Sequence, residues 1–349
     1  MNTFVPNYQN LIDACKNIEA ARTPLYEHII APEVMEKILN KEFAALINGD
    51  DADKKEHFTH YCRFFREMGY DTVSYECCIG PAMPGSGALG GHAPGAIKTR
   101  EDFDSYPWEQ IPQFFFEKYA KNYEIMGTCL PQGMKAVGGP GNGVFELVQD
   151  VVGYEQLCLI SIDDPELYQY LFRTVGDMMS RIWDEFLRRF GDLYAVSRFG
   201  DDLGFKSSTL LSPEDIRTNI IPQYQRIISV IHSHGKPFLY HSCGKNFAVM
   251  DDIISIAKID AKHSNEDDIA PFSEWVDRYG DRIGNFGGVD MDHLCSKTEQ
   301  EITKIVRDVM SYCKGKGGFA LGSGNSIPDY VPPQGYLAMV NAARAFRGE

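Results

Sequence analysis

The chain has 349 residues, 44% of them hydrophobic and 24% charged, a composition typical of a globular protein with one large core. Its formal net charge of −15, from 34 basic and 49 acidic residues, argues against nucleic acid and against an anionic membrane as partners. The N-terminal sequence lacks the basic and apolar stretches of a signal peptide, so we expect a cytoplasmic protein.

The nine cysteines are odd in number and follow no spacing of a disulfide framework. This pattern favours reduced thiols, as in a cytosolic enzyme, over disulfide bonds.

Residues 1 to about 69 are predicted to be helical, because apolar residues recur every three to four positions, for example at Val34, Ile38 and Ile47. The β-branched and aromatic run Tyr70–Cys77 predicts a strand. A stretch rich in glycine and proline, Gly80–Gly95, follows it and is predicted to be a long loop over a site.

Strand and helix patterns then alternate along the chain. Six further strands are predicted at Met134–Gly139, Tyr194–Phe199, Pro237–Cys243, Ile259–Ser264, Ile283–Val289 and Gly318–Gly322. Helices are predicted at Asp164–Phe190, from Pro213 to about His234, and at 247–257, 271–279, 298–314 and 333–347. The alternation predicts a parallel sheet in an α/β fold, and the length suits a (β/α)8 TIM-type barrel. We expect one domain over 1–349, with 1–69 as a helical N-terminal extension.

Polar residues cluster where the predicted strands end, which is where barrel enzymes of this type build their active sites. They are Glu76, Cys77, Cys78, Asp201, Asp202, His241, Cys243, His263, Glu266, Asp290, Ser323 and Asn325. Five of them are expected to bind substrate, namely Glu76, Cys77, His263, Asp290 and Asn325.

The pair His241-x-Cys243 is the sharpest chemical pattern in the sequence. Residues two apart on a strand project to the same side, and a nitrogen with a thiolate suits zinc. The alternative is a hydrogen-bonded histidine beside a buried cysteine. Glu266, at the end of the next strand, is the predicted third ligand, although a solvated loop acid is an equal interpretation. Cys77 or Cys78 would also serve, but simple packing explains that pair.

Asp201 and Asp202 follow a strand directly and are the predicted catalytic residues. One of two adjacent carboxylates faces the barrel mouth while the other caps a helix or forms an ion pair, so only one is expected to act. The alternative for both is helix capping or solvation in a loop.

Two glycine-rich stretches do not predict nucleotide binding. Gly85–Gly90 matches G-x-G-x-x-G, but prolines surround it and no helix begins on it. Gly138–Gly143 lacks the lysine and hydroxyl residue that end a phosphate-binding loop. We therefore expect neither a dinucleotide nor ATP.

Several motifs occur together in an order that resembles the second half of the uroporphyrinogen decarboxylase superfamily. They are the segments 199–204, 211–215, Pro222, 241–244, 287–290 and 318–328. Arg22-Thr23-Pro24-Leu25 is similar to the N-terminal Arg-x-Pro turn of that superfamily. The resemblance covers residues from about 120 to 349 well and implies a barrel.

The decarboxylases of this superfamily carry N-terminal arginines that hold the carboxylates of the porphyrinogen. Here the segment 25–30 after Pro24 has no arginine, which disfavours a substrate with eight carboxylates in an acidic protein. The 241–244 segment is instead similar to the zinc motif of the cobalamin-dependent methyltransferases. These enzymes transfer methyl groups to or from the cobalt of a corrinoid protein, which supplies the methylcobalamin. Members that methylate thiols add a second cysteine where this chain has Asn325.

The resemblance thus implies a zinc-dependent methyltransferase with a corrinoid-binding partner and a small methylated substrate. An oxygen ligand such as Glu266 in place of a second thiolate would favour an O-methyl substrate, because a harder zinc polarises an ether or alcohol oxygen. Two alternatives stay open. One is a decarboxylase or other lyase without a cofactor that uses Asp201 or Asp202 with Tyr75 or His263, and the other is a non-catalytic binding barrel.

Overall fold

The computed structural model describes residues 4–91 and 93–349. Seven parallel strands lie side by side in chain order, each bonded to the next along the sequence. They are Thr72–Cys78 (β1), Lys135–Gly141 (β2), Tyr194–Gly200 (β3), Phe238–His241 (β4), Ala261–His263 (β5), Gly284–Val289 (β6) and Phe319–Ser323 (β7). Each overlaps one of the seven predicted strands, so the α/β fold of a TIM-type barrel is confirmed.

Helices follow the strands and pack around the sheet. The α-helices are Gln9–Cys15, Pro32–Leu39, Asp51–Met68, Arg100–Ser105, Ile111–Cys129, Val144–Val152, Tyr154–Asp163, Pro165–Phe190, Pro213–Asp215, Ile221–Ser233, Phe247–Asp252, Phe272–Tyr279, Met291–Ser296, Glu299–Cys313 and Pro333–Phe346. A short π-helical turn at Ile216–Ile220 joins Pro213–Asp215 to Ile221–Ser233, and another at Ile253–Ala257 extends Phe247–Asp252. Single 3-10 turns lie at Ala44–Asn48, Gly80–Ala82, Trp108–Gln110 and Gly191–Leu193.

Side-chain caps explain where two of the predicted helices begin. The carboxylate of Asp164 accepts a hydrogen bond from the backbone N–H of Leu167, 3.0 Å away, at the start of Pro165–Phe190. The hydroxyl of Ser212 likewise accepts from the N–H of Asp215 at 3.0 Å, just before the helical segment that begins at Pro213. Both caps satisfy backbone donors that have no partner within the first helical turn.

The N-terminal region is helical only in part, which corrects the prediction for 1–69. Between the helices Gln9–Cys15 and Pro32–Leu39, residues 24–30 are extended and lie beside β7. The backbone N–H of Tyr26 donates to the carbonyl of Leu321 at 2.9 Å, and the N–H of Leu321 donates to Pro24 at 3.0 Å. Leu25 and Tyr26 are buried, so this segment contributes to the barrel wall rather than to a separate extension.

The inside of the barrel is apolar at one end and polar at the other. Helix Gln9–Cys15 closes the end where the strands begin, and its Leu11 and Ala14 pack against Val196 and Leu239. A β-carbon at Gly318 would collide with the carbonyl of Ala14, so only glycine permits this close approach. Buried polar residues such as Asp201, His241 and His263 lie at the opposite end, where the strands finish.

The loop predicted at Gly80–Gly95 is confirmed in the residues that the structure describes, and His92 lies outside them. Asp150 holds this loop, because its Oδ1 accepts hydrogen bonds from the N–H groups of Gly87 and Leu89 at 2.8 and 3.2 Å. Within 4–91 and 93–349, none of the helices is both long enough and apolar enough to cross a membrane.

Candidate metal centre

Three possible metal ligands meet at the ends of β3 and β4. His241 is the last residue of β4, and its Nε2 lies 3.6 Å from the sulfur of Cys243 and 4.0 Å from Oδ1 of Asp202. The ligand atoms of these three residues all lie within 4.8 Å of one another. The structure therefore brings the predicted pair His241 and Cys243 together, with Asp202 as the oxygen donor.

A chain of hydrogen bonds sets the chemical form of His241. Its Nδ1 lies 2.8 Å from Nδ1 of His263, and Nε2 of His263 lies 2.9 Å from the carbonyl oxygen of Ser323. Burial lowers the pKa of His263 to about 3 and that of His241 well below its usual range, so both imidazoles are neutral. A neutral imidazole nitrogen is the form that binds a metal.

Polar groups also surround the thiol of Cys243. The side-chain N–H of Asn325 donates to its sulfur at 3.3 Å, and the Ser264 hydroxyl lies 3.6 Å away. Asn325 thus touches Cys243 at the place where the resemblance leads one to expect a second cysteine. Burial raises the pKa of the Cys243 thiol to about 12, so the metal-free thiol holds its proton.

The two adjacent aspartates have different surroundings. Asp201 is fully buried and accepts three hydrogen bonds, from the N–H groups of Phe145 and Glu146, both at 2.9 Å, and from the Tyr224 hydroxyl at 2.5 Å. These bonds cap helix Val144–Val152, which matches the capping alternative for Asp201. Asp202 is half-exposed and accepts the N–H of Cys243 at 2.8 Å, so its carboxylate faces the barrel mouth.

Glu76 projects into the barrel from the end of β1. Its Oε2 accepts hydrogen bonds from Nε and Nη2 of Arg198 at 2.9 and 2.6 Å, and its Oε1 lies 4.0 Å from Nε2 of His28. Arg198 is fully buried and also donates to the hydroxyls of Tyr26 and Ser74, at 2.9 and 2.8 Å. A buried cation thus balances the charge of Glu76.

Cys77 does not face the site, which contradicts its expected role in substrate binding. It lies on the outer face of β1, with its sulfur 3.4 Å from the Tyr75 hydroxyl, and packs in the apolar layer between strands and helices. Burial raises the pKa of its thiol to about 11. Strand alternation puts Cys78 on the inner face with Glu76 instead.

Glu266 and Asp290 also lie away from the predicted ligands. Among the described residues, no group of three donors within 4.8 Å includes Glu266, so its prediction as the third ligand is not supported. The loop after β5 turns toward β7, where the N–H of Asn265 donates to the carbonyl of Gly324 at 2.9 Å, and this turn carries Glu266 aside. Both oxygens of Asp290 accept backbone N–H groups, from Asp292 and Asp267, each at 2.7 Å.

Glu266, Asp290 and Asn325 nevertheless line one open cavity of about 380 Å³. Lys206, Asp268, Met291, Asp292, Ser326, Pro328 and Tyr330 complete its wall. Because Asn325 also touches the sulfur of Cys243, this cavity lies next to the three ligand atoms. The three candidate ligands do not line the cavity themselves, so Asn325 is the contact between the cavity and Cys243.

His28, Arg198 and Glu146 are site residues that the sequence reasoning missed. The ring of His28 stacks on that of His241, with centroids 3.7 Å apart and planes 14° apart. His28, His241 and His263 also form a second group of three possible ligands, but two of their nitrogens already bond to each other. One signal was available, because an arginine within the apolar strand Tyr194–Phe199 is unusual unless it has a buried partner.

Glu146, in the first turn of helix Val144–Val152, reaches the same mouth. Its Oε1 accepts the N–H of Asp202 at 3.2 Å, and its Oε2 accepts from the side-chain amide of Asn142 at 3.0 Å. Burial, together with Asp201 and Asp202, raises the pKa of Glu146 well above its usual range. These surroundings favour the protonated form of the carboxyl group more than water does.

The donor set suits zinc. One imidazole nitrogen, one thiol and one carboxylate are the ligand types of catalytic zinc sites, which bind the metal through three protein groups and leave one position open. Calcium and magnesium prefer carboxylate and backbone oxygens, whereas this set also contains a nitrogen and a sulfur. His241, Cys243 and Asp202 are the residues that would hold the ion.

Comparisons with known proteins agree with this architecture. Residues 111–346 match the model of the family described as uroporphyrinogen decarboxylase (URO-D), while no curated protein sequence matches. A methyltransferase from Methanosarcina mazei has a similar structure, with a TM-score of 0.72 over 98% of this chain and 99% of that one, at 15% identity. A Listeria monocytogenes protein assigned as a vitamin-B12-independent methionine synthase gives 0.52 over 94% and 99%, at 12% identity.

At such identities the two structures show a shared fold alone. The family match is different in kind, because it rests on the sequence and spans more than half of the 349 residues. It includes β2 to β7 and the three candidate ligands. The chain belongs to the uroporphyrinogen decarboxylase family.

Proposed function

We propose that the protein is a zinc-dependent methyltransferase that moves a methyl group between a small O-methyl compound and the cobalt of a corrinoid protein. The observation that carries the proposal is the meeting of His241 Nε2, Cys243 Sγ and Asp202 Oδ1 at the barrel mouth. When bound there, zinc supplies a Lewis acid that polarises the oxygen of the substrate. One carboxylate and a single thiolate suit an oxygen leaving group better than two thiolates would.

The residues of the chain have distinct parts in this proposal. The cavity beside Asn325 holds the substrate, and Asn325 orients it next to Cys243. Departure of the methyl group leaves an alkoxide or phenoxide, which needs a proton to become the alcohol product. Glu146 accepts the N–H of Asp202, and burial favours the protonated form of its carboxyl group, so this residue is suited to supply that proton.

A protein partner is expected because the mouth carries exposed apolar side chains. They lie on segments that follow four different strands and are Leu89, Tyr154, Phe205, Leu210 and Tyr330. Exposed apolar residues around a site support the docking of another protein. Docking would orient the cobalt for an in-line displacement of the methyl group, which free cobalamin cannot match.

Tetrapyrrole decarboxylation has less support. The segment 24–30 lines the barrel with Tyr26 and His28 rather than with arginines. The buried Arg198 already pairs with Glu76, so its charge is not free for a substrate carboxylate. A substrate with many carboxylates would therefore meet uncompensated acidic groups.

Metal analysis followed by a transfer assay tests the proposal. We expect about one zinc per chain and, with a panel of methoxy compounds, methylation of a reduced corrinoid protein that stops when a chelator removes the zinc. Cys243→Ala should leave the protein folded with less than about 0.1 zinc per chain. Cys158→Ala, at another partly buried thiol, is the matched control and should keep the metal. Full transfer by zinc-free protein would instead favour cofactor-free chemistry, and binding without turnover would favour a binding barrel.

A further inference from the structure

The hydrogen bonds behind His241 have a direction that can be worked out from donor and acceptor chemistry. A carbonyl oxygen only accepts, so the proton between Ser323 and His263 belongs to Nε2 of His263. In a neutral imidazole the other nitrogen then accepts, so Nδ1 of His263 takes its hydrogen bond from the N–H at Nδ1 of His241. The remaining nitrogen of His241, Nε2, therefore carries a lone pair and no proton.

We propose that His263 is a positioning residue that holds His241 in the tautomer whose Nε2 can bind a metal. This inference rests on the proposed zinc site and adds the residue that prepares it. Without the acceptor at His263, His241 could place its proton on Nε2, which is the nitrogen that faces Cys243 and Asp202. Each metal-binding event would then first require a change of tautomer.

The surroundings keep the ring of His241 in place. The ring of His28 stacks on that of His241. A β-carbon on Gly200 would lie 3.2 Å from Cδ2 of His241. The glycine on β3 thus leaves room for the imidazole of His241.

The acceptor at the far end of the chain is also fixed. The N–H of Ser323 donates to Glu27 at 3.1 Å, and the Ser323 hydroxyl donates to the same carboxylate. The next residue, Gly324, donates its N–H to the carbonyl of Val289 at 2.7 Å. The Ser323 carbonyl therefore stays where His263 needs it, held from both β6 and the segment 24–30.

Two substitutions separate the hydrogen bond from simple packing. His263→Leu removes the acceptor, whereas His263→Asn places an amide oxygen near the position of Nδ1. By competition titration with a zinc chelator, we expect His263→Leu to bind zinc roughly 10- to 100-fold more weakly than the wild type. His263→Asn should stay within about threefold, and so should His57→Leu, which removes another buried, hydrogen-bonded histidine outside the site.

A spectrum of the unmodified protein tests the tautomer directly, even if the leucine variant does not fold. With histidine labelled by ¹⁵N, a long-range ¹H–¹⁵N correlation of the metal-free chain should show His241 protonated at Nδ1 and His263 at Nε2. A proton on Nε2 of His241 would overturn the inference, as would equal zinc binding by the wild type and a folded His263→Leu. Equal weakening by leucine and asparagine would overturn the tautomer mechanism. A wild type that binds no zinc would overturn the proposed function itself.

Discussion

Two neighbouring parts of the barrel mouth show how differently the same residue types can be used. At the ends of β3 and β4, Asp202 accepts one backbone N–H and remains half-exposed beside His241 and Cys243. At the end of β6, both oxygens of Asp290 are taken by backbone N–H groups. A carboxylate at a strand end is therefore informative about function only after its backbone donors have been counted.

The strongest test replaces one carboxylate in the candidate metal centre and one outside it. Asp202→Asn removes a charged ligand from the candidate centre, and we expect zinc to bind at least roughly 100-fold more weakly. Glu266→Gln removes the carboxylate that was predicted from the sequence to be the third ligand. We expect zinc affinity to change by less than about twofold, because Glu266 lies outside the ligand group. Competition titration with a zinc chelator measures both.

The opposite ranking would contradict this assignment. If Glu266→Gln weakened zinc binding more than Asp202→Asn, the loop after β5 would have to close over the metal. Glu266 would then replace Asp202 as the third ligand.

A smaller effect is expected on the free energy of unfolding, which should distinguish the two capping aspartates, Asp201 and Asp290. Asp201→Ala leaves Phe145, Glu146 and Tyr224 without their buried acceptor, so we expect a loss of roughly 2–3 kcal/mol in the free energy of unfolding. Asp290→Ala removes an exposed cap and should cost about 1 kcal/mol. Urea denaturation measures both, and the folded Asp201→Ala protein should keep its zinc. Loss of zinc without loss of stability would restore Asp201 as a functional residue.

The last test concerns the pH dependence of zinc binding. The Cys243 thiol, with a pKa of about 12, is protonated in the metal-free protein, whereas the lowered pKa of His241 keeps that ring neutral, with no proton on Nε2 for zinc to displace. Zinc binding should thus release one proton, so affinity should rise about tenfold per unit as pH increases from about 6 to about 8. Glu266→Gln should keep the same slope. An affinity that does not change with pH would mean that the thiolate already exists before the metal binds.

The sequence was sufficient for the strands and for part of the centre. All seven strands were predicted because β-branched runs between helical patterns leave little ambiguity. His241 and Cys243 were singled out by their spacing on the predicted strand Pro237–Cys243, although β4 ends at His241. Strand alternation could also have placed Cys78 on the inner face of β1 and Cys77 on its outer face. Glu76 faces inward, and residues two apart on a strand share a face.

Other parts depended on geometry that no local pattern contains. The path of the loop after β5, which separates Glu266 from Cys243, is set by a hydrogen bond to Gly324, 59 positions away from Asn265. His28 and Tyr26 were missed because the segment 24–30 was predicted to be helical. Its extended form comes from bonds to β7 at the other end of the chain.

That segment has a consequence for how the protein is made. Glu27 and Ser323 are 296 positions apart, and their hydrogen bonds join nearly the first and the last structural elements of the barrel. On a ribosome, which releases the chain from its N-terminus, residues 24–30 emerge long before their partner strand exists. The wall beside His28 can close only after β7 has been synthesised, so a chain that stops before Ser323 would lack the carbonyl that holds His263.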